Sequence, residues 1–341
     1  MKLMAARFDQ NRLVRKTRSV YSGPIFDAHI HVLRRSPDTS PPDPVRILDM
    51  LRNAGVESAI VMPTPNDGRW ETHEDGVRLR AALAKISRGK IRQFGASNYL
   101  TYWMHEANRR GYSESDWKNI FRRLMKDGSG GAYAGLGEMG LYHFKKHAGQ
   151  DVVSYPPTFG PFRNVIRFAA AKRLWVTLHA EPRSPAGKSY KRVVFDGVAR
   201  LFHENPRLKL ILAHTAMTNA RNARRLLRAH RNLMMDIKFV SPRTSMRNSH
   251  TGGEISWDYR NVRHLEPVTN ENGALYADWA KLFEEMPERF LVGTDARFGH
   301  SGWEFETYAV LVRGMRNILG AINAKAATTI AFENAKIIFD V

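Results

Sequence analysis

From residue 25 onward, short apolar runs rich in β-branched residues alternate with longer stretches of helical periodicity. A run of about four to eight apolar residues between turn signals reads as a strand, and an apolar stripe every three or four residues reads as a helix. The pattern predicts strands at Ile25–His31, Glu57–Met62, Arg92–Ser97, Ala132–Glu138, Leu174–His179, Leu208–His214, Leu233–Ile237 and Phe290–Asp295. It predicts helices at Asp43–Asn53, Glu71–Arg88, Glu114–Lys126, Pro161–Lys172, Lys191–Asn205, Thr218–Arg231, Ala274–Met286 and Glu304–Leu319, and a further one around Thr328–Phe339. The first helix has an acidic cap in Asp43, Pro44 in its first turn and Gly55 just past its end. Eight strand–helix pairs in order predict an α/β (β/α)8 TIM barrel. The rival is a doubly wound parallel sheet, because periodicity does not reveal closure. Residues 25–341 read as a single barrel domain, preceded by a basic extension over residues 1–24.

Three connections exceed what barrel turns need: Leu33–Asp43, Leu141–Gly160 and Lys238–Gly273. All follow strands 1, 4 or 7 at their C-terminal ends, where a barrel keeps its active site, so they read as lids or substrate walls.

Chemistry gathers at the same ends. Strand one closes on Asp27-Ala-His29-Ile-His31, strand four on Glu138, strand five on His179, strand six on His214 and strand eight on Asp295. Side chains alternate along a strand, so His29 and His31 share a face, with Asp27 deeper on the same face. By the same alternation His179 follows Trp175 and Thr177, His214 follows Leu208, Leu210 and Leu212, and Asp295 follows Leu291 and Gly293. Any one of these reads as a satisfied structural residue. Together they supply the imidazole and carboxylate ligands that zinc and related divalent ions take, one or two ions with Zn ahead of Mn or Fe.

Composition adds limits. There is no cysteine, hence no disulfide framework and no thiolate ligand or nucleophile. The 53 basic against 33 acidic residues leave a formal charge of +20. Such a charge reads first as a solvated basic surface and otherwise suits nucleic acid, an anionic small molecule or an acidic membrane surface. Composition does not choose, and the strand-end residues favour a small anionic substrate over nucleic acid. No apolar run is long enough to suggest a membrane span, and a cytoplasmic enzyme, with homo-oligomerisation open, is the expectation. There is no P-loop, no GxGxxG after a predicted strand and no recognisable nucleic-acid-binding module. Arg183, Lys238 and Arg297, shortly after strands five, seven and eight, are candidates to grip an anionic group. His143, His250 and His264 are candidate substrate contacts, and Trp257 and Tyr259 a candidate aromatic wall; the cations and histidines read more readily as ordinary loop surface, and the two aromatics equally as anchors of their loop.

The ordered set resembles the amidohydrolase superfamily, and within it the amidohydrolase-related (amidohydrolase 2) family. The stretches that carry the likeness are FDAHIHV at 26–32, GEMGL at 137–141, LHAEP at 178–182, LAHTAM at 212–217, VGTDA at 292–296 and FENAKIIF at 332–339. They span the chain from about residue 25, and residues 1–24 match nothing in the family. The resemblance implies a metal-dependent hydrolase in which His29, His31 and Asp295 hold a first ion. His179 and His214 then hold a second, or His179 completes a one-ion site while His214 acts on the substrate. Glu138, in a setting similar to the GEIGL segment of TatD-type hydrolases, is implied as a bridge between two ions, or as an acid that fixes a ligand histidine. Asp295 is implied as the proton carrier between the attacking water and the leaving group. The substrate bond implied is an amide, lactone or ester; decarboxylation of an aromatic or dienoic acid and TatD-like phosphoester hydrolysis are the alternatives.

Overall fold

The computed structural model describes residues 19–33, 42–65, 73–129, 133–144, 152–239, 265–270, 272–298 and 304–340. The basic segment 1–18, His250, His264, Trp257 and Tyr259 lie outside the described residues.

Among the described residues, eight parallel strands form the barrel wall. They are β1 (Ile25–Val32), β2 (Val56–Met62), β3 (Ile91–Ala96), β4 (Gly135–His143), β5 (Trp175–Ala180), β6 (Lys209–Leu212), β7 (Leu233–Ile237) and β8 (Phe290–Val292). Each pairs with the next, and β1 pairs with β8 through Asp27 and Val292, which closes the ring. The rival open sheet is thereby excluded. A short strand, Ala296–Phe298, resumes the line of β8 and pairs beside Ile30–Val32 of β1. Another, Val153–Ser154, lies antiparallel to the outer end of β4, so β4 runs on past Glu138 to His143.

Closure explains the composition of the strands, because an all-parallel wall is buried on both faces. One apolar layer lies between strands and helices and includes Ile25, Ile30, Val32, Ala59, Val61, Leu210, Leu212, Met235 and Val292. A separate interior layer holds Phe26, Ala28, Ile60, Met62, Phe94, Trp175, Ile211, Met234 and Leu291. A C-terminal helix, Asn334–Phe339, closes the lower end of that interior: Phe339 lies 5.8 Å from Phe26, 5.7 Å from Phe94 and 6.2 Å from Trp175, ring centre to ring centre. The opposite end is left for polar residues.

Helices surround the ring: α1 (Pro44–Asn53), α2 (His73–Ile86), α3 (Ser97–Arg110), α4 (Glu114–Ser129), α5 (Gly160–Lys172), α6 (Lys191–Glu204), α7 (Ala220–Ala229), α8 (Ala277–Glu285) and α9 (Glu304–Gly320). Asp43 caps α1 by accepting the Val45 N–H at 2.9 Å, with Pro44 opening the helix as expected. The unexpected element is α3, which places two helices between β3 and β4. Its sequence, SNYLTYWMHEANRR, is aromatic-rich, and it starts from Ala96 in a left-handed conformation with no side-chain cap, so the usual start signal is missing. The far end of the third long connection is tied down by Glu266, which accepts from Thr218 Oγ1, from the backbone and side-chain N–H of Asn219, and from Lys191 Nζ. No helix among the described residues is long and apolar enough to cross a membrane.

Trp279 and Phe283 pack on Phe290, which is fully buried and sets the position of β8. Phe290→Ala should therefore destabilise the fold by roughly 3–5 kcal/mol in equilibrium denaturation. A loss below about 1 kcal/mol would mean that this layer does not hold β8.

Candidate metal centre

Two alternation arguments from the sequence are corrected by the backbone. In β1 the pairing with β2 shifts register between Asp27 and Ile30, an irregularity of the bulge type. It sets Asp27 apart from His29 and His31: the Asp27 carboxylate faces the Thr294 hydroxyl at 2.6 Å and the Tyr308 hydroxyl of α9 at 3.1 Å. Leu210 and Leu212 of β6, and Leu208 just before it, belong to the outer layer rather than the interior. His214 joins the site because β6 ends at Leu212 and residues 214–216 take left-handed φ values, 56° at His214. Asp295 is likewise presented by a break, since β8 stops at Val292 and Asp295 has a φ of 52°. Its N–H donates to the His29 carbonyl at 2.9 Å, fastening the break to β1.

These elements bring His29, His31, Glu138, His179, His214 and Asp295 together, all buried. His29 Nε2 lies 3.2 Å from His31 Nε2, 3.6 Å from Glu138 Oε2 and 3.9 Å from Asp295 Oδ1. His31 Nε2 lies 3.4 Å from Glu138 Oε2 and 2.9 Å from Asp295 Oδ1. Four ligands at about 2.1 Å from a tetrahedral zinc ion stand about 3.4 Å from one another. Those five separations scatter about that value, so the donor set fits a divalent cation. Glu138 turns its other oxygen to a second group: Oε1 is 3.0 Å from His179 Nδ1 and 3.5 Å from His214 Nε2.

Two acids escaped the sequence reading. Asp236 of β7 sits 2.9 Å from His29 Nδ1 and accepts the His214 backbone N–H at 2.7 Å. Glu181 lies 3.1 Å from His179 Nε2. Alternation carried the signal for both, since Asp236 follows interior Met234 and Glu181 follows His179 at the same spacing. Of the candidate substrate residues that are described, Lys238 is buried with its Nζ against Asp295 Oδ2. Arg297 is half-buried, and its Nε is buried without a hydrogen-bond partner among the described residues. His143 is buried, its ring 4.7 Å from that of His179. Arg183 is exposed, on a turn bridged to Ser189, and does not join the cluster.

Burial works against every charge here, and the opposite charges outweigh it. For His29, burial is overcome by the Glu138 and Asp236 carboxylates, which hold its pKa well above the ordinary histidine value; His179 is raised in the same way, chiefly by Glu138. In return, burial of Glu138 is overcome by His29 and His179, which hold it well below the usual carboxylate range. Asp295 is also lowered, by Lys238 first and then Arg297 and His214. Asp27, away from these cations, is pushed up by burial to about 6 despite the bonds from Thr294.

No protein-family model matches the chain, and no curated protein does. Solved structures do. An uncharacterised TIM-barrel protein from Bordetella bronchiseptica is 12% identical, over 93% of this chain and 98% of that one, with a TM-score of 0.54. A probable 2-pyrone-4,6-dicarboxylic acid hydrolase from Acinetobacter baumannii, with citric acid bound, is 9% identical over 93% and 99%, with a TM-score of 0.50. An amidohydrolase from Burkholderia multivorans with bound Zn is 10% identical over 94% and 100%, also with a TM-score of 0.50. The chain shares the barrel fold of solved amidohydrolases. At these identities the likeness is one of fold.

A raised histidine pKa has a direct consequence. In the metal-free protein His29 and His179 keep their protons to higher pH than ordinary histidines, and a cation must displace them. Zinc uptake should release protons, and affinity should rise with pH through the neutral range, measured calorimetrically in buffers of different ionisation enthalpy. Uptake without proton release, or affinity that falls with pH, would contradict these protonation states.

Proposed function

We propose that this barrel is a divalent-cation-dependent hydrolase of the amidohydrolase superfamily, cleaving an amide, lactone or ester bond in a small anionic substrate. The observation that carries the reading is the convergence of His29, His31, Glu138 and Asp295 on one point at tetrahedral spacing. In this reading His29, His31 and Asp295 would hold one cation, His179 and His214 would hold a second, and Glu138, which faces both groups, would serve both. Zinc is the first choice because the donors are all imidazole nitrogen and carboxylate oxygen. The zinc in the Burkholderia multivorans structure and the citric acid in the Acinetobacter baumannii one agree with such a site and such a substrate.

A divalent cation, when bound, supplies a water acidified toward neutral pH and a Lewis acid for the substrate carbonyl. The chain does the rest. Asp295 takes the water proton on a carboxylate oxygen and delivers it to the leaving group, which is general base and then general acid work by one residue. With a single cation bound, His214 Nε2, 3.5 Å from Asp295 Oδ2, would instead orient the group that receives the proton. The buried Lys238 and the half-buried Arg297 place positive charge beside Asp295, which suits a carboxylate on the substrate.

A panel of lactones, esters and amides bearing a carboxylate tests this. Hydrolysis should vanish on chelation and return with zinc. Asp295→Asn should lower kcat by at least about 100-fold while leaving the circular dichroism spectrum unchanged. Near-wild-type turnover in that variant would remove Asp295 from the chemistry, and release of carbon dioxide in place of hydrolysis would replace the reaction class.

A further inference from the structure

We propose that Asp236 is the positioning residue of this centre, a single carboxylate that holds the imidazoles of His29 and His214 side by side so that both turn Nε2 toward Glu138. The inference rests on the reading of the cluster as a divalent-cation site.

The two rings stack, with centres 5.0 Å apart and planes 25° from parallel. On one edge, Asp236 Oδ2 is 2.9 Å from His29 Nδ1 and Oδ1 is 3.3 Å from His214 Nδ1. On the other edge, His29 Nε2 is 3.6 Å from Glu138 Oε2, and His214 Nε2 is 3.5 Å from Glu138 Oε1. An ionised carboxylate only accepts, so a neutral imidazole facing it carries its proton on Nδ1 and keeps the Nε2 lone pair for a cation. Asp236 selects that tautomer in His29 through the hydrogen bond at 2.9 Å, and its charge 3.3 Å from His214 Nδ1 favours a proton on that nitrogen too. Its Oδ1 also accepts the backbone N–H of His214 at 2.7 Å, at the first residue of the left-handed run. One side chain therefore fixes a ring and the turn that presents it.

A second observation lies across the pair. A Cβ at Gly293 would fall 2.9 Å from the Asp236 Cβ, 3.0 Å from its Cγ and 2.9 Å from the His29 Cβ. The φ of Gly293 is not in the left-handed region, so what the position needs is space rather than backbone freedom. The missing side chain is the room in which Asp236 meets His29.

Asparagine offers one acceptor and one donor where aspartate offers two acceptors, so only one ring can keep its proton on Nδ1. Asp236→Asn should bind cobalt(II) roughly 10–100-fold more weakly than the wild-type protein, with an altered visible spectrum. Gly293→Ala, which leaves Asp236 in place but crowds it, should shift both in the same direction. A third readout needs no variant. In wild-type protein loaded with cadmium-113, nitrogen-15 spectra should show His29 and His214 coupled to the metal through Nε2 with Nδ1 protonated. Coupling through Nδ1 in either ring, or wild-type cobalt affinity and spectrum in Asp236→Asn, would overturn the proposal. Failure of the wild-type protein to bind cobalt or cadmium would remove the cation reading itself and this inference with it, a result distinct from the other two.

Discussion

Carboxylates buried at one end of a barrel repel each other, and the rest of this structure is arranged around that repulsion. Glu138, Glu181, Asp236 and Asp295 are all at most 5% exposed. An isolated buried carboxylate costs far more than a folded protein's margin of stability, so each must be matched by a cation or by hydrogen bonds. The match here is imidazole, Lys238 and Arg297, interleaved so that nearly every acid has a nitrogen within about 3–4 Å. Glu138 stands at the centre, with one oxygen toward each group of histidines. Such an arrangement is what a pair of divalent ions would relieve.

The outer architecture was legible because parallel strands buried on both faces leave plain apolar runs, and the helices between them carry their caps and stops. Residue types at the site were legible too, as polar endings on apolar strands. What alternation could not deliver was direction. His214 and Asp295 arrive through left-handed turns, and the irregularity in β1 turns Asp27 toward α9 instead of toward its neighbours. A period of two holds only while a strand continues, and sites are built where strands stop or slip. Asp236 shows the reverse case. Its interior position follows from Met234 by simple alternation, but Asp236 lies inside its strand, whereas the other site residues stand at the ends of the predicted strands. The helix α3 was hidden for another reason, since its aromatic side chains carry no strong start signal.

The net charge acquires a more modest meaning. On the surface, glutamates repeatedly serve two arginines each: Glu106 takes Arg109 and Arg110, Glu204 takes Arg163 and Arg200, and Glu285 takes Arg224 and Arg228. That sharing is what an excess of basic over acidic residues produces, and exposed pairs of this kind add little stability individually. The positive field that remains draws anions toward the molecule. At the barrel mouth the same sign recurs in Lys238 and Arg297, where burial makes it count for more.

The central claim is that this cluster exists to hold divalent cations. Elemental analysis of the protein after zinc loading and removal of free metal, beside Glu138→Gln treated identically, tests it most directly. The account predicts close to two zinc ions per chain in the wild-type protein and a clear loss in the variant. Zinc at background level in the wild-type protein would contradict it.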